Sequence, residues 1–128
     1  MPTFPPPSFD ELGLNPDLLR AVRDRGWEVP TPAQRLAVPA VLALGDGRRR
    51  RLGDEPYHSV WTEAPTGSGK TACFALPLIQ ILARDRRDRI ARGVGEGIPG
   101  GRVASLVLCP TRELAAQIGR VFEVRADA

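Results

Sequence analysis

The chain contains 128 residues, of which 42% are hydrophobic and 26% are charged, and this composition predicts at most one small globular domain. The formal net charge of +3 is compatible with a polyanionic partner but identifies none. No apolar run approaches the roughly 18 residues of a membrane-spanning helix, so we expect no membrane association. Cys73 and Cys109 form no CxxC pair and only one histidine is present, which disfavours a metal site and fits an intracellular, reducing compartment.

Two short helices are predicted near the N-terminus, after a proline-rich leader at residues 1–8 that should be extended and unpacked. In the first helix Asn15 is the expected N-cap, Pro16 fits the first helical position, and Gly26 is placed to end the helix. Its apolar side consists of Leu18, Leu19 and Val22.

The second helix should begin at Thr31, which forms a capping box with Gln34, and should end near Gly45. Pro39 lies inside this pattern and is expected to bend or shorten the helix. The expected buried side consists of Leu36, Val38, Val41 and Leu42.

A charged, glycine-rich loop is predicted next, at residues 45–58, and it contains four consecutive arginines at 48–51. We interpret these arginines as a solvated loop. The alternatives are an auxiliary RNA patch and a nuclear import signal.

Strands and helices alternate in the rest of the chain. Strands are predicted at 59–64 and 103–110, a helix at 70–85, a mobile linker at 86–102, and a last helix capped by Thr111. Strands that alternate with helices indicate right-handed crossovers, and therefore an α/β fold with a parallel sheet.

The segment APTGSGKT at 64–71 holds the only lysine of a chain that has 17 arginines. Its spacing is that of a P-loop, and it follows a predicted strand and opens a predicted helix. Gly67 and Gly69 permit backbone conformations that let the amide groups surround phosphate. Lysine is a compact charge, unlike the arginine fork, so Lys70 should reach the phosphates while the Thr71 hydroxyl binds Mg²⁺. The alternative is a glycine-rich turn with an exposed lysine.

Two flanking motifs are more discriminating than the P-loop. PTRELAAQ at 110–117 follows the second predicted strand, and GWEVPTPAQ at 26–34 precedes the first. With APTGSGKT between them and the isolated aromatic Phe9 upstream, the chain resembles the N-terminal part of the DEAD-box ATP-dependent RNA helicases. The resemblance covers residues 9–117.

This resemblance implies binding of ATP with Mg²⁺ and a P-loop NTPase, RecA-like parallel sheet with flanking helices. Gln34 would read the adenine edge, Phe9 would stack near the base, and Lys70 and Thr71 would act in catalysis, Thr71 by holding Mg²⁺ through ATP. The phosphate loop would consist of Ala64, Pro65, Thr66, Gly67, Ser68, Gly69, Lys70 and Thr71.

RNA backbone contacts are implied for the start of the last helix. The residues concerned are Pro110, Thr111, Arg112 and Glu113. Less specific readings remain open: Thr111, Arg112 and Glu113 as ordinary helix-start residues, and Trp27 as packing.

For Gln34 and Phe9, too, a purely structural role is the alternative interpretation. Gln34 could serve only as the partner of Thr31 in the capping box, and Phe9 could be a hydrophobic staple.

The resemblance divides the chain into the leader at 1–8, a Q-motif helical region at 9–45 and a partial RecA-like domain at 46–128 with about two strands. No adjacent Asp-Glu pair follows Thr71 after an apolar strand, and the second helicase lobe of the family is absent. We therefore expect a fragment that cannot unwind RNA alone and that could pair with a second lobe or a protein partner. A non-catalytic nucleotide- or RNA-binding module, or a degenerate copy, is the alternative. Another P-loop enzyme, such as a small-molecule kinase, would have no use for PTREL.

Overall fold

A computed structural model describes residues 7–45, 59–93 and 103–123. The regular elements in these ranges are a 3₁₀ helix Phe9–Leu12 and the α-helices α1 (Pro16–Asp24), α2 (Pro32–Gly45), α3 (Lys70–Ala91) and α4 (Arg112–Phe122). The arginine run at 48–51, most of the leader, and residues 94–102 of the predicted linker lie outside the described residues. None of the described helices is long and apolar enough to cross a membrane.

The ends of α1 confirm the sequence prediction. The Asn15 side chain accepts a hydrogen bond from the Leu18 amide at 2.9 Å, and Pro16 is the first helical residue. Arg25 follows the last turn, and Gly26 then takes a φ of 72°, the left-handed conformation that favours glycine. Val22 is buried on the inner side of this helix.

The start of α2 is the predicted capping box. The Gln34 amide donates to Thr31 Oγ1 at 3.2 Å, and Gln34 Oε1 accepts from the Thr31 amide at 3.0 Å. The helix continues through Pro39 to Gly45, so this proline does not shorten it.

The prediction that Leu36 is buried is wrong. Its side chain is 78% exposed, whereas Ala37 and Val38 are buried. Successive residues of an α-helix lie about 100° apart, so Leu36 lies nearly opposite Val38. Because Val38 and Ala37 pack inward, Leu36 must point to solvent.

Helix α3 is longer than predicted, because residues 86–91 are helical and not part of a linker. Arg87 Nη2 lies 3.0 Å from Asp17 Oδ2, so the C-terminal half of α3 is tied to α1. Such contacts between distant segments stabilise helical structure that local sequence alone does not predict.

The described residues contain no assigned strand, so the predicted parallel sheet is not confirmed. Residues 59–65 and 103–109 have no regular secondary structure. A strand is assigned when its backbone forms a hydrogen-bonded ladder with a neighbour, and that ladder is what these two segments lack here.

The hydrophobic core joins the N-terminal helices to α3. Val22 of α1 and Val38 of α2 belong to one cluster with Leu76 of α3, which is its largest fully buried member. The full cluster consists of Phe9, Leu12, Leu14, Leu18, Val22, Val38, Ala72, Leu76 and Ile79.

Gln80 links α3 to the turn before α1. Its Oε1 accepts a hydrogen bond from the Asn15 amide at 2.7 Å, and its Nε2 donates to the Gly13 carbonyl at 3.0 Å. Both halves of the side-chain amide are therefore used by the backbone of a distant segment.

We expect Gln80→Ala to lower the free energy of unfolding by about 1–3 kcal/mol, because it removes the partners of two backbone groups. Gln117→Ala, at an exposed position of α4, is the control and should change stability little. Chemical denaturation followed by circular dichroism measures both. Equal losses in the two variants would contradict this role of Gln80.

Candidate functional site

The segment 64–69 forms a tight turn ahead of α3. The Ser68 amide and hydroxyl both donate to the Pro65 carbonyl, at 3.2 Å and 2.6 Å. Gly67 and Gly69 have φ values of 81° and 77°, which side chains other than glycine rarely adopt. The two glycines therefore allow the chain to turn sharply into the helix.

Helix α3 begins at Lys70, and its N-cap residue Gly69 supplies no side-chain hydrogen bond. The first amide groups of the helix have no partner within it, and they carry its positive partial charge. Lys70 Nζ donates to the Ala64 carbonyl, across the turn. The structure thus brings an ammonium group and an uncapped helix start together.

The start of α2 is hydrogen-bonded to this turn. Thr31 Oγ1 donates to the Ser68 carbonyl at 2.7 Å, and Gln34 Nε2 donates to the Gly69 carbonyl at 3.2 Å. Gln34 is only 5% exposed, and each end of its amide has a protein partner. The capping box and the turn are therefore one connected unit.

Cys73 supports the same turn from α3. Its Sγ donates to the Gly69 carbonyl at 3.6 Å. Burial raises the pKa of this thiol above its ordinary value, so the protonated donor is the favoured form.

A cavity of about 620 Å³ lies beside the start of α3. Lys70 and Thr71 line it together with Cys109 and Pro110, which come from the second segment predicted to be a strand. Both segments predicted to be strands contribute to the lining, which comprises Val41, Val60, Thr62, Lys70, Thr71, Cys73, Phe74, Leu78, Leu106, Val107, Leu108, Cys109, Pro110, Leu114 and Ile118. The candidate phosphate loop and the first residue of PTREL thus meet at one cavity.

Pro110 and Leu114 of PTREL line this cavity, whereas Thr111, Arg112 and Glu113 lie outside the lining, on the exposed start of α4. Thr111 is the N-cap, and its Oγ1 accepts a hydrogen bond from the Leu114 amide at 3.2 Å. Thr111, Arg112 and Glu113 are exposed, so their side chains are open to a ligand.

Phe9 belongs to the hydrophobic core and is only 4% exposed. It lines a second cavity of about 380 Å³, together with Trp27, and this cavity does not include Lys70. Neither of these two cavities of the described residues contains both Phe9 and the turn at 64–69. Stacking of Phe9 on a base stays a prediction.

Sequence reasoning assigned Thr31 only a capping role and missed its contact with Ser68. A threonine hydroxyl that accepts a hydrogen bond in a capping box still has a proton to donate. That free donor was the available signal, but its acceptor is 37 positions away and is not predictable from spacing.

Comparison with known proteins identifies the family. Residues 31–128 match the sequence profile of the DEAD/DEAH box helicases, and this match includes Gln34, the turn at 64–69 and PTREL. The chain belongs to the DEAD/DEAH box helicase family.

Curated DEAD-box relatives resemble the chain over most of its length. It is 40% identical to ATP-dependent RNA helicase DBP10 of Mycosarcoma maydis, over 89% of the chain and 8% of that protein. It is 39% identical to DEAD-box ATP-dependent RNA helicase 29 of Oryza sativa subsp. indica, over 85% and 10% respectively. For DEAD-box ATP-dependent RNA helicase RhpA of Helicobacter pylori the identity is 38%, over 88% of the chain and 17% of that protein. The chain therefore spans less than a fifth of the length of these DEAD-box relatives.

The two glycines of the turn allow a test of the contact with Gln34. A Cβ at position 69 would lie 2.3 Å from Gln34 Nε2, whereas a Cβ at position 67 would meet nothing within 4 Å. Both substitutions impose the left-handed strain of about 1–2 kcal/mol. We expect Gly69→Ala to lower the free energy of unfolding by about 1–3 kcal/mol more than Gly67→Ala, because it also displaces Gln34.

Denaturant unfolding of the two single variants measures this difference. Adding Gln34→Ala to Gly69→Ala removes the clashing atoms, so the double variant should lose less than the two single losses added together. Identical stability of Gly67→Ala and Gly69→Ala would show that the Gln34 contact contributes nothing.

Proposed function

We propose that this chain forms the ATP-binding part, and part of the RNA-contacting surface, of an ATP-dependent RNA helicase. The observation that carries the proposal is the hydrogen bond from Gln34 to the Gly69 carbonyl. It joins the residue expected to read adenine to the N-cap of the helix expected to bind phosphate.

The phosphates of ATP would occupy the turn at 64–69 and the start of α3. The uncapped amides of α3 favour an anion, and Lys70 adds a full positive charge. Phosphate oxygens would replace the Ala64 carbonyl as the acceptor of Lys70 Nζ. Such a charge-assisted bond to an anion is stronger than one to a neutral carbonyl.

The Thr71 hydroxyl fits the role proposed for it toward Mg²⁺. Thr71 lines the same cavity as Lys70, one residue further along α3. The described residues offer no group of three or more acidic, cysteine or histidine side chains that could hold a metal ion. In the proposal Mg²⁺ would arrive with ATP, and the Thr71 hydroxyl would be the protein group that holds it. Bound ATP supplies the phosphoanhydride bond whose hydrolysis drives such enzymes.

Adenine recognition would use the hydrogen-bonding groups of the Gln34 side-chain amide that are not engaged by Thr31 or Gly69. One N–H bonds to Gly69 and one Oε1 lone pair accepts from Thr31, so a second N–H and a second lone pair remain. A donor beside an acceptor matches the edge of adenine better than that of guanine. Binding and support of the turn are therefore compatible roles for this residue.

RNA would be contacted by the exposed start of α4. The Thr111 hydroxyl still has a proton to donate, and Arg112 presents a fork that suits phosphate oxygens. Both features recognise the backbone and not the base sequence.

We also propose that the two segments without regular structure are strands of a parallel sheet. In the second segment Ser105, Val107 and Cys109 are partly covered, whereas Leu106 and Leu108 are 74% and 84% exposed. This alternation has the period of two that a strand imposes. Lining of one cavity by both segments favours their being neighbours.

The activity proposed for the 128-residue chain is binding, and we propose that it does not unwind RNA by itself. In the proposal a second helicase lobe, or another protein partner, would complete the cleft in which ATP and RNA act together. A chain that binds ATP and RNA with no hydrolysis, even beside a second lobe, would instead be a non-catalytic module.

We expect Lys70→Ala to weaken Mg²⁺-ATP binding at least about tenfold, because it removes the ammonium group from the phosphates. Lys70→Arg should also weaken binding, since the guanidinium is wider and its donors are fixed in a plane. Isothermal titration calorimetry measures the affinities.

Arg20→Ala, at an exposed position of α1, removes the same charge from a different helix and is the control for Lys70→Ala. Gln34→Ala should reduce the preference for ATP over GTP, while Lys70→Ala should weaken both nucleotides alike. If the unsubstituted chain released no heat with Mg²⁺-ATP, the proposed nucleotide site would be wrong.

For the proposed sheet we expect backbone nuclear Overhauser effects between residues 60–64 and 105–109 in the NMR spectrum of the chain, recorded with Mg²⁺-ATP. Their amide groups should also exchange slowly, because ladder hydrogen bonds protect them. If nuclear Overhauser effects were seen only between residues adjacent in sequence, and the amide groups of both segments exchanged fast, the proposed pairing would be ruled out.

A further inference from the structure

Arg25 joins the end of α1 to the far end of α4. Its Nη2 donates to the Arg120 carbonyl at 3.0 Å, across 95 positions of sequence. Its Cζ lies 5.8 Å from the ring centroid of Trp27, close enough for a cation–π interaction. One planar guanidinium therefore contacts an aromatic face and a helix end at the same time, which arginine does better than lysine.

The carbonyl that Arg25 contacts lies in the last turn of α4. The last carbonyl groups of a helix lack partners within it and carry its negative partial charge. A cation at this end is therefore favourable both as a hydrogen-bond donor and as a charge. Trp27 in turn packs against the hydrophobic core, so the aromatic ring that the Arg25 guanidinium contacts is held in place.

The C-terminal half of helix α4 contacts the core. Ile118 is buried, and Phe122 packs against the core with its ring 6.4 Å from that of Phe74. At the other end Thr111, Arg112 and Glu113 are exposed. Contacts made at the opposite end therefore contribute to the position of the end proposed to contact RNA.

The length of α4 makes this arrangement sensitive to small rotations. At about 1.5 Å per residue the helix is roughly 16 Å long, so a rotation of about 10° at its anchored end moves its start by almost 3 Å. Hydrogen bonds to phosphate tolerate a few tenths of an ångström. An anchor that prevents such a rotation therefore determines whether Thr111 and Arg112 can bind RNA together.

We propose that Arg25 is a positioning residue for RNA binding: by contacting Trp27 and the Arg120 carbonyl, it sets the direction of α4 and thereby aims Thr111 and Arg112 at the RNA backbone. The inference rests on the proposed RNA contact. Arg25 is not assigned a contact with RNA.

Arg23 provides a matched control. It lies in the last turn of α1, two residues before Arg25, is similarly exposed, and pairs through its Nη2 with Asp10 Oδ1 at 2.8 Å. Arg23→Ala and Arg25→Ala remove the same charge, so their general electrostatic effects on RNA binding should be nearly equal. A larger loss of RNA affinity in Arg25→Ala than in Arg23→Ala therefore reflects a change in the position of α4.

The test is fluorescence anisotropy of a labelled single-stranded oligouridylate titrated with the 128-residue chain at constant salt. Arg25→Ala should weaken binding about tenfold more than Arg23→Ala, the loss expected for one charge-assisted phosphate contact. In an Arg112→Ala background that excess should disappear, because the contact that Arg25 positions is already gone. A general loss of folded protein would instead weaken binding equally in both backgrounds.

Amide hydrogen exchange provides a second measurement. Arg25→Ala should raise the amide exchange rates in α4, while the rates in α1, α2 and α3 should equal those of Arg23→Ala. If Arg25→Ala unfolds the chain, Arg25→Met keeps the apolar stem on Trp27 without the donor and takes its place. RNA affinity equal to that of Arg23→Ala, or an excess loss that persists without Arg112, would overturn the inference. If the unsubstituted chain bound no RNA, the proposed RNA contact itself would be wrong, and the inference would fall with it.

Discussion

The carbonyl oxygen of Gly69 is the atom on which the candidate site depends. It accepts hydrogen bonds from the Ala72 amide, from Gln34 Nε2 and from Cys73 Sγ, and so joins the turn, α2 and α3 at one point. The arrangement requires glycine, because a Cβ there would lie 2.3 Å from Gln34 Nε2. Since the backbone must also adopt a φ of 77°, the same residue satisfies a steric and a conformational requirement at once.

The hydrophobic core fixes this junction in place. Ala72 and Leu76 of α3 pack in one cluster with Val38 of α2 and Val22 of α1, so the helix that begins at the turn cannot shift independently of the capping box. Gln80 adds a polar tie from α3 to the backbone before α1. The site is thus built where two helix starts meet, and the rigidity of both comes from apolar burial several residues away.

Sequence predicted well the features that depend on neighbouring residues. The caps at Asn15, Thr31 and Thr111 are local hydrogen bonds, and each is present as expected. The features that it missed depend on distant partners. The helical structure of residues 86–91 is supported by a contact with α1, and the exposure of Leu36 follows from which side of α2 meets the core. A strand needs a neighbour, so an apolar segment such as 103–109 does not itself determine a ladder.

The distribution of positive charge explains why one lysine stands among so many arginines. Three of the described arginines serve as cross-links: Arg25 and Arg84 donate to carbonyl groups of distant helices, and Arg87 pairs with Asp17. A planar fork with several donors suits such bridges, because it can bind one group while it packs against another. At the turn before α3, Lys70 reaches across to one carbonyl, that of Ala64. In the proposed nucleotide complex phosphate would replace that carbonyl as the acceptor, and a compact ammonium group on a flexible stem suits this exchange better than the planar fork of arginine.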